Sequence, residues 1–534
     1  MSPAKWPLLV FYQSLPSSET FKPPLLDGTL SLPEIYDWHM KNCPRHPLFV
    51  FVPSNRSPRT IFWPEAVRAM HTGAKLVRKM MGWEPGLMDP PVVGAAGAIL
   101  ESKAVAMRAM VNKYTQNLPS RPCRPSDGGD EYESSDSEEV VLLTGTTGAL
   151  GYYVLAELVQ NPNVLRVYAV NRVSVNDTSG GLPERQKRAL IRRGLDADVI
   201  LESGKAVLLE ADISLPNLGL QVDVYDKVKK STTRIIHNAW PVDFNLALSS
   251  FERSIKGLRN LIDLSLTSPR TSPPTVVYTS SIDVFQNVDS TLQDFPLPES
   301  PIAAEVAIGT GYTESKWVSE EILIESTKRT ALNTIVVRVG QLTGGLNGCW
   351  NTSEWLPSII QESELTGSWV SSGRRQNMAA RVLVDFRKPV TLGTSSLVHL
   401  IHPKPVPWSS LAHSVAKSLS LSLVHFSEWV GKLEELHRQR SDSGVGSQLV
   451  NLKSRREVAG LRLLPFLRSL ETKAHKSLNA FGFVRLCCDN AVLLSPTLAS
   501  RAKQAPPVDA KDVELWLKYW QSDGFLKTEA SQCL

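Results

Sequence analysis

A doubly wound α/β domain built on a parallel sheet is the fold class the sequence predicts for most of the chain. Three observations predict it. From residue 140 onward, short apolar runs alternate with helix-like segments. The runs are rich in Val, Ile and Leu, as strands buried on both faces require. The first of them leads directly into a glycine-rich turn and then a helical segment.

Strands are expected at Val140–Thr144, Leu165–Val170, Ala206–Glu210, Arg234–His237, Thr275–Thr279 and Thr334–Val339. Helices are expected near Ala149–Gln160, Pro183–Arg193, Phe244–Ser265 and Tyr312–Thr327. The prolines of HLIHPKPVPWSSL (His399–Leu411) each fix their own φ, so this stretch reads as a rigid strand or loop. Leu419–Leu436 and Val513–Trp520 are amphipathic helix candidates for a small C-terminal substrate subdomain.

Upstream, Leu32–Leu48 reads as a capped helix with a proline stop, and FVFV (Phe49–Val52) as a strand. Trp63–Met80 has helical periodicity with Pro64 in its first turn, and Ala98–Tyr114 forms a further helix. This is too little strand for an independent α/β domain. Residues 126–139 (SDGGDEYESSDSEE) hold seven acids and no base. Like charges at that density repel, so the segment reads as a solvated linker. The expected organisation is therefore 1–97, an N-terminal segment; 98–139, helix and acidic linker; and 140–534, the α/β domain with its subdomain.

Composition excludes several classes. Lys plus Arg number 58 and Asp plus Glu 53 in 534 residues, a net charge of +5, which carries no nucleic-acid or membrane signature. No run of about 18 apolar residues is present, so no membrane-spanning helix is expected. Charged residues at 21% and hydrophobic ones at 42% fit a globular core. Six cysteines, none in a C-x-x-C pair, point to a reducing, cytoplasmic compartment and to no metal site.

The first strand runs into Thr144-Gly145-Thr146-Thr147-Gly148-Ala149-Leu150-Gly151. Gly145 would permit the tight turn, Gly148 the approach of a pyrophosphate, and Gly151 close packing of helix on strand, with the helix N-terminus facing the phosphates. The second strand ends in Asn171-Arg172. An acid at Arg172 would take a ribose 2′-hydroxyl; an arginine suits a 2′-phosphate, so NADPH is favoured over NADH. Asp212, after the third strand, is placed to reach the adenine edge. His237, in HNAW, reads as a satisfied core residue without a catalytic role. Tyr312 and Lys316 stand one helical turn apart in YTESK, where an ammonium can stabilise a phenolate. Ser281, preferred to Ser280, ends the fifth strand and offers a hydroxyl to a substrate carbonyl.

These residues resemble an extended short-chain dehydrogenase/reductase of Rossmann type. More narrowly, IIHNAWPVDFN, GYTESKWVSEEIL and RVGQLTGG resemble the thioester-reductase domain of fungal adenylate-forming, nonribosomal-peptide-synthetase-like reductases. The resemblance implies an NADPH-dependent reductase that takes an acyl thioester from a carrier protein and releases an aldehyde or an alcohol, as in secondary metabolism. It places Ser281, Tyr312 and Lys316 on the catalytic positions. Gly145, Gly148, Gly151 and Arg172 fall on the cofactor-binding ones. LPEIYDWHMKNCPRHPLFVFV and TIFWPEAVRAMHTGAKLVRKM resemble the opening of the family's adenylation domain, and that likeness stops near Gly94. Neither an S-G-[ST]-T-G-x-P-K loop nor a carrier-type Asp-Ser site follows, so most of the adenylation domain and the carrier are expected to be missing, by internal deletion or by a join of distant coding segments. The Glu364–Phe386 stretch is shorter than the family pattern, which puts one pocket wall in question.

Two other functions fit the same residues: a free-standing reductase of small aldehydes or ketones, and a non-catalytic remnant of a larger synthetase-like enzyme. Removal of residues 1–125 is expected to leave reductase activity within a few-fold. With no Gly-rich phosphate loop before residue 140, the protein is expected to show background ATP–pyrophosphate exchange with a panel of aryl, amino and keto acids; acid-dependent exchange would refute this reading of the N-terminal part.

Overall fold

The computed structural model describes residues 9–10, 32–51, 59–80, 92–120, 138–173, 180–288, 295–352, 354–366, 368–369, 376–387, 395–402, 408–442, 484–504 and 508–526. The acidic stretch upstream of residue 138, and residues 403–407 of the proline-rich stretch, lie outside them. The chain forms two compact units, Met1–Ala96 with Leu436–Arg456, and Gly97–Glu435 with Glu457–Leu534.

In the first unit, three short antiparallel strands, Leu9–Val10, Pro47–Phe51 and Arg59–Phe62, pair in that order beside helices Leu32–Asn42 and Trp63–Met80. Cys43, Trp63 and Val67 make a small core, and His39 stacks on Trp63 at 4.4 Å. Pro64 stands in the first turn of its helix, where its missing N–H costs nothing.

The second unit is the α/β domain. Its strands are β1 (Glu139–Thr144), β2 (Val164–Asn171), β3 (Ala206–Glu210), β4 (Arg234–His237), β5 (Thr275–Ser281), β6 (Thr334–Val339) and β7 (Ser395–Leu400). All seven are parallel, in the order β7-β6-β5-β4-β1-β2-β3. Six coincide with the expected runs to within two residues. β7 is the addition: SSLVHL is short and serine-rich, yet every residue of it pairs with β6. Successive strand residues feed two cores. Leu142, Ile235, Val276 and Val336 point to one, and Val141, Ile236, Val277 and Ile335 to the other, so each strand is apolar without alternation. The chain order reverses between β1 and β4. That makes the carboxyl ends of these two strands the topological switch point, where ligands of open α/β sheets bind.

Helix Gly151–Gln160 covers one face, and helices Glu252–Leu266 and Gly311–Arg329 the other. Helix Val222–Ser231 carries few apolar residues and helix Ala197–Leu201 is only five residues long, so neither shows in the sequence pattern. The Glu364–Phe386 stretch ends in helix Gln376–Asp385, whose Ala380 and Leu383 share the core of helix Gly151–Gln160. A third core, around Trp350, Trp429, Trp516 and Trp520, forms the C-terminal subdomain on helices Trp355–Thr366, Trp408–Ser418, Phe426–Asp442 and Ala510–Ser522.

Helix Val92–Thr115, expected to lead only into a linker, is part of the domain from Gly97 on. Ala104, Met107 and Val111 enter the core beneath the Gly311–Arg329 helix. Lys103 Nζ donates to Gly309 O at 2.8 Å and to Glu314 Oε1 at 2.7 Å. Arg259 donates to the carbonyls of Tyr114, Gln116 and Asn117. The expectation for a cut at residue 125 therefore changes. Deletion of residues 1–96 should leave the thermal midpoint of the second unit in place. Deletion of residues 1–116 exposes the Met107 socket, worth ~2 kcal/mol for that side chain alone, and strands the carboxyl of Glu314. It should lower the midpoint in a calorimetric scan by about 5–10 °C.

Candidate active site

The glycine turn is held from three sides. Gly145 has φ +77°, and a Cβ there would lie 2.9 Å from Ala239 Cα. A Cβ on Gly151 would meet Gly145 O at 2.0 Å, so only glycine lets the helix start this close to β1. At Gly148, by contrast, a Cβ meets only Gly145 O, at 3.4 Å. The helix that follows has no side-chain cap at Leu150, which keeps its first N–H groups available to an anion. The Leu150 side chain is buried in the core, so at this position only backbone faces a ligand.

Two residues that sequence reasoning passed over fix the turn. Asn171 Oδ1 accepts from Thr147 N and Oγ1, both at 3.2 Å, and its Nδ2 donates to Thr146 Oγ1 at 2.6 Å. Thr146 Oγ1 donates to Gln186 Oε1 at 2.7 Å, and Gln186 Nε2 returns to Thr146 O at 3.1 Å. Asn171 precedes Arg172 at the end of β2, so a polar side chain ending a buried strand was the available signal. Gln186 gave none.

At the switch point Thr144 Oγ1 accepts the N–H groups of Asn238 (3.1 Å) and Ala239 (3.0 Å), so its own proton goes to His237 Nδ1 at 2.8 Å. His237 is thereby the Nε2–H tautomer. Burial, and then Lys316, push it down to about 3, so it is neutral. Thr144 and His237 therefore shape the backbone beside the turn.

Arg172 is exposed at the end of β2. Beside it, Arg185 Nη2 donates to Arg172 O at 2.8 Å and approaches Glu210 at 3.4 Å, which puts two guanidiniums at this end of the turn. The Asp212 carboxylate is already engaged: Arg253 donates to Oδ2, and Ser214 donates to Oδ1 from Oγ (2.7 Å) and N (3.1 Å). Burial opposes the charge, but these hydrogen bonds hold the carboxyl below its usual range.

The end of β5 meets the Gly311–Arg329 helix residue by residue. Thr279 O accepts Lys316 Nζ at 2.7 Å, Ser280 Oγ donates to Glu320, and Ser281 Oγ, which accepts Asp283 N at 3.2 Å, lies beside the Tyr312 phenol and favours its ionised form. Ser280 thus points into the core and Ser281 towards Tyr312. Burial and the neighbouring Asp283 raise the Tyr312 phenol above its ordinary value, and Ser281 eases it back. Lys316 was expected to do that lowering, but it sits farther off, 5.7 Å from the ring centroid. Lys316 is 2% exposed, between the rings of Trp240 (4.7 Å) and Tyr278 (4.8 Å). Burial, partly offset by Glu320, pushes it down to about 7. Trp240, quoted in the sequence motif without a role, also donates to Ser315 Oγ at 3.2 Å. The helix begins on a Thr310 cap, and a Cβ on Gly311 would collide with the 246–248 backbone at 2.3–2.5 Å. Phe244 crosses the Tyr312 ring at 5.3 Å and is half exposed, as is Leu246, so the rim beside Tyr312 is apolar.

Residues 143–386 match the family profile described as Male sterility protein, an NAD-binding domain. This segment belongs to that family. The domain is an NAD(P)-binding reductase domain of extended short-chain dehydrogenase/reductase type. Among curated proteins, the chain is 40% identical over 436 residues to the adenylate-forming reductase Nps10 of Heterobasidion annosum, covering 79% of this chain and 37% of that protein. It is 30% identical over 364 residues to a carboxylic acid reductase of Neurospora crassa, covering 64% and 32%. The chain thus spans about a third of the length of these relatives. Among solved structures, the terminal R domain of the myxalamid PKS-NRPS pathway shares the fold, with a TM-score of 0.60 at 21% identity, over 79% of this chain and 99% of that one. Among the described residues no cluster of His, Cys, Asp and Glu could hold a metal, and no helix is long and apolar enough to cross a membrane.

The reductase domain's cofactor end separates two roles. Asn171→Ala, which frees the turn, should weaken NADPH and NADH alike, by about tenfold. Arg172→Ala should weaken NADPH by roughly tenfold or more and leave NADH unchanged. Calorimetric titration of both cofactors into both variants tests this. An unaltered preference in Arg172→Ala would pass the 2′-phosphate to Arg185.

Proposed function

We propose that the chain is an NADPH-dependent reductase of an acyl thioester, carried on a phosphopantetheine arm or on coenzyme A, with an aldehyde and the free thiol as products. The observation that carries it is the meeting of Ser281, Tyr312 and Lys316 at the carboxyl edge of β5, on the same edge as the glycine turn. The fit of a dinucleotide rests on that turn: space above Gly148, an uncapped helix start, and guanidiniums at Arg172 and Arg185. Gly145, Thr147, Gly148 and the Ala149–Gly151 backbone would hold the pyrophosphate, Arg172 the 2′-phosphate, and Lys316 the nicotinamide ribose. Bound there, the cofactor supplies the hydride that reduces the carbonyl carbon.

The remaining chemistry belongs to the protein. Ser281 holds the carbonyl oxygen, and Tyr312 gives it a proton as negative charge develops. The raised phenol keeps its proton through neutral pH, as a donor must. Lys316 places a charge beneath the ring and supports the phenolate left behind. The apolar rim at Phe244 and Leu246 sheds water from the approach. The relatives' names, adenylate-forming reductase and carboxylic acid reductase, support an acyl substrate. The partner would be a separate carrier protein, and the N-terminal unit would be the opening part of an adenylation-type domain. The aldehyde is preferred to the alcohol because a single reduction suffices to free the thiol.

Tyr312→Phe should lower kcat by ~10²–10⁴ while NADPH affinity changes little. The sign of the pH dependence follows from Lys316. Its charged form is present below about 7 and is lost as pH rises through that value. Turnover of a pantetheine thioester should therefore decline above neutrality. Full activity in Tyr312→Phe would remove the mechanism.

A further inference from the structure

The Gly311–Arg329 helix buries two opposite charges, Lys316 and Glu320, and residues four apart share a helix face. No ion pair joins them. Lys316 Nζ donates instead to Thr279 O at 2.7 Å. The Glu320 carboxylate is taken by Arg338 on β6, with Nη2 at 2.7 Å from Oε2 and Nε at 3.1 Å from both oxygens. Ser280 Oγ donates to the same Oε1. The two side chains are 1% and 0% exposed. Arg338 Nη1 donates to Ser300 O at 2.9 Å and approaches His399 Nε2 at 3.5 Å. Beside it, His399 has its Nδ1 at 2.7 Å from Cys487 O, and burial and then Arg338 push this imidazole down to about 3. Among the described residues Glu320 is the acid that pairs with Arg338, whose charge is also felt by Glu321 next to it.

We propose that Glu320 and Arg338 are a positioning pair for Lys316: Arg338 occupies both oxygens of the carboxylate that Lys316 would otherwise turn to, and so leaves the ammonium on Thr279 O, between the rings of Trp240, Tyr278 and Tyr312. The inference rests on the reading of Lys316 as the residue that serves cofactor and phenol. A buried charge without a partner is costly, so a carboxylate released from Arg338 would draw the nearest ammonium towards it. That ammonium is one turn away, and following it would abandon Thr279 and the rings. The groups facing Lys316 are few. From β4 and its loop come neutral His237 and Trp240, from β5 Tyr278 and the Thr279 carbonyl, and from its own helix Tyr312 and Glu320. Glu320 is the one acid acting on it, and it does so against the effect of burial.

The two partners must then move Lys316 in opposite directions. Arg338→Met frees the carboxylate to hold the ammonium, and its titration midpoint should rise by about one pH unit or more. Glu320→Gln leaves a buried guanidinium near it and no anion, and the midpoint should fall. The Glu320→Gln/Arg338→Met double variant should return close to the parent. Competitive amine labelling of the full chain across a pH series, read at the Lys316 peptide by mass spectrometry, measures the midpoint with neither cofactor nor substrate present. Turnover should fall about 10- to 100-fold in Arg338→Met and recover to within about tenfold in the double variant.

Opposite shifts with recovery support the pair. Midpoints that stay together in all variants, with only melting temperatures changed, overturn it. Should Arg338→Met fail to fold, Glu320→Gln decides, and an unmoved midpoint there overturns the proposal. Midpoints that shift while the pH profile of turnover does not would uphold the pair and refute the cofactor role of Lys316.

Discussion

The structure depends on how one helix is held against the end of one strand. Residues Gly311–Arg329 form a helix buried almost all round, and its hidden residues include Tyr, Lys, Glu, Ser and Thr. A buried helix of this composition can persist only if each polar side chain finds a partner. The partners come from β5. Three consecutive residues there, Thr279, Ser280 and Ser281, take Lys316, Glu320 and Tyr312. The contacts that satisfy the helix are the contacts that aim its chemistry. A shift of one residue between strand and helix would break all three and leave the Lys316 ammonium stranded in a low-dielectric core, while Glu320 would keep Arg338.

The cofactor end follows a different rule. There the constraint is steric, and backbone rather than side chain presents the surface. Gly145 and Gly151 are excluded volume made explicit, since a single carbon at either would strike backbone within 3 Å. Polar side chains behind the turn, Asn171, Gln186 and Thr146, hold it in place, so under the proposed function ordering it would cost little when a phosphate binds. A rigid cradle and a rigid donor pair then meet across the switch point between β1 and β4. The two share Ala239, whose Cα crowds Gly145 and whose N–H is capped by Thr144.

What the sequence showed and what it hid divide along physical lines. Strands buried on both faces announce themselves by unbroken apolar runs, so β1 to β6 were legible. β7 was not, because Ser395, Ser396 and His399 interrupt the run, and only pairing with β6 and Glu299's bond to the His399 N–H make it a strand. The glycine turn and the Tyr-x-x-x-Lys spacing were legible because each is local. Ser281 was chosen over Ser280 from position alone, and the geometry separates them by partner. The links between distant residues were not legible: Arg338 lies 18 residues from Glu320, and Asn171 25 residues from Thr146. Nothing near Glu320 marks its partner, and Asn171 shows only as a polar side chain ending a buried strand, because only the folded sheet brings the ends together. The helix from Gly97 was misjudged for a related reason. It was read only as leading into the linker, whereas its Lys103, Arg108 and Lys113 pair with Glu314, Glu305 and Glu252 far along the chain.

That last point bears on where the reductase begins. The match to the family profile starts at residue 143, on β1. Physically the folded unit starts earlier, because the first turn of the Gly311–Arg329 helix is fastened from outside that segment. Glu314, one residue past Thr313 and two past Tyr312, is 5% exposed and is neutralised by Lys103, whose ammonium also holds the Gly309 carbonyl just before the Thr310 cap. A buried carboxylate so near Tyr312, the donor in the proposed mechanism, would otherwise disfavour a phenolate there. Exposed ion pairs such as Arg108–Glu305 add little to stability, but the Lys103 contact is half sheltered and doubles as a cap. The segment that connects this domain to whatever precedes it is thus in direct contact with the turn that carries Tyr312. In this chain the sheet and the helix that delivers the chain to it fold as one unit from Gly97, and the start of the profile match falls inside that unit.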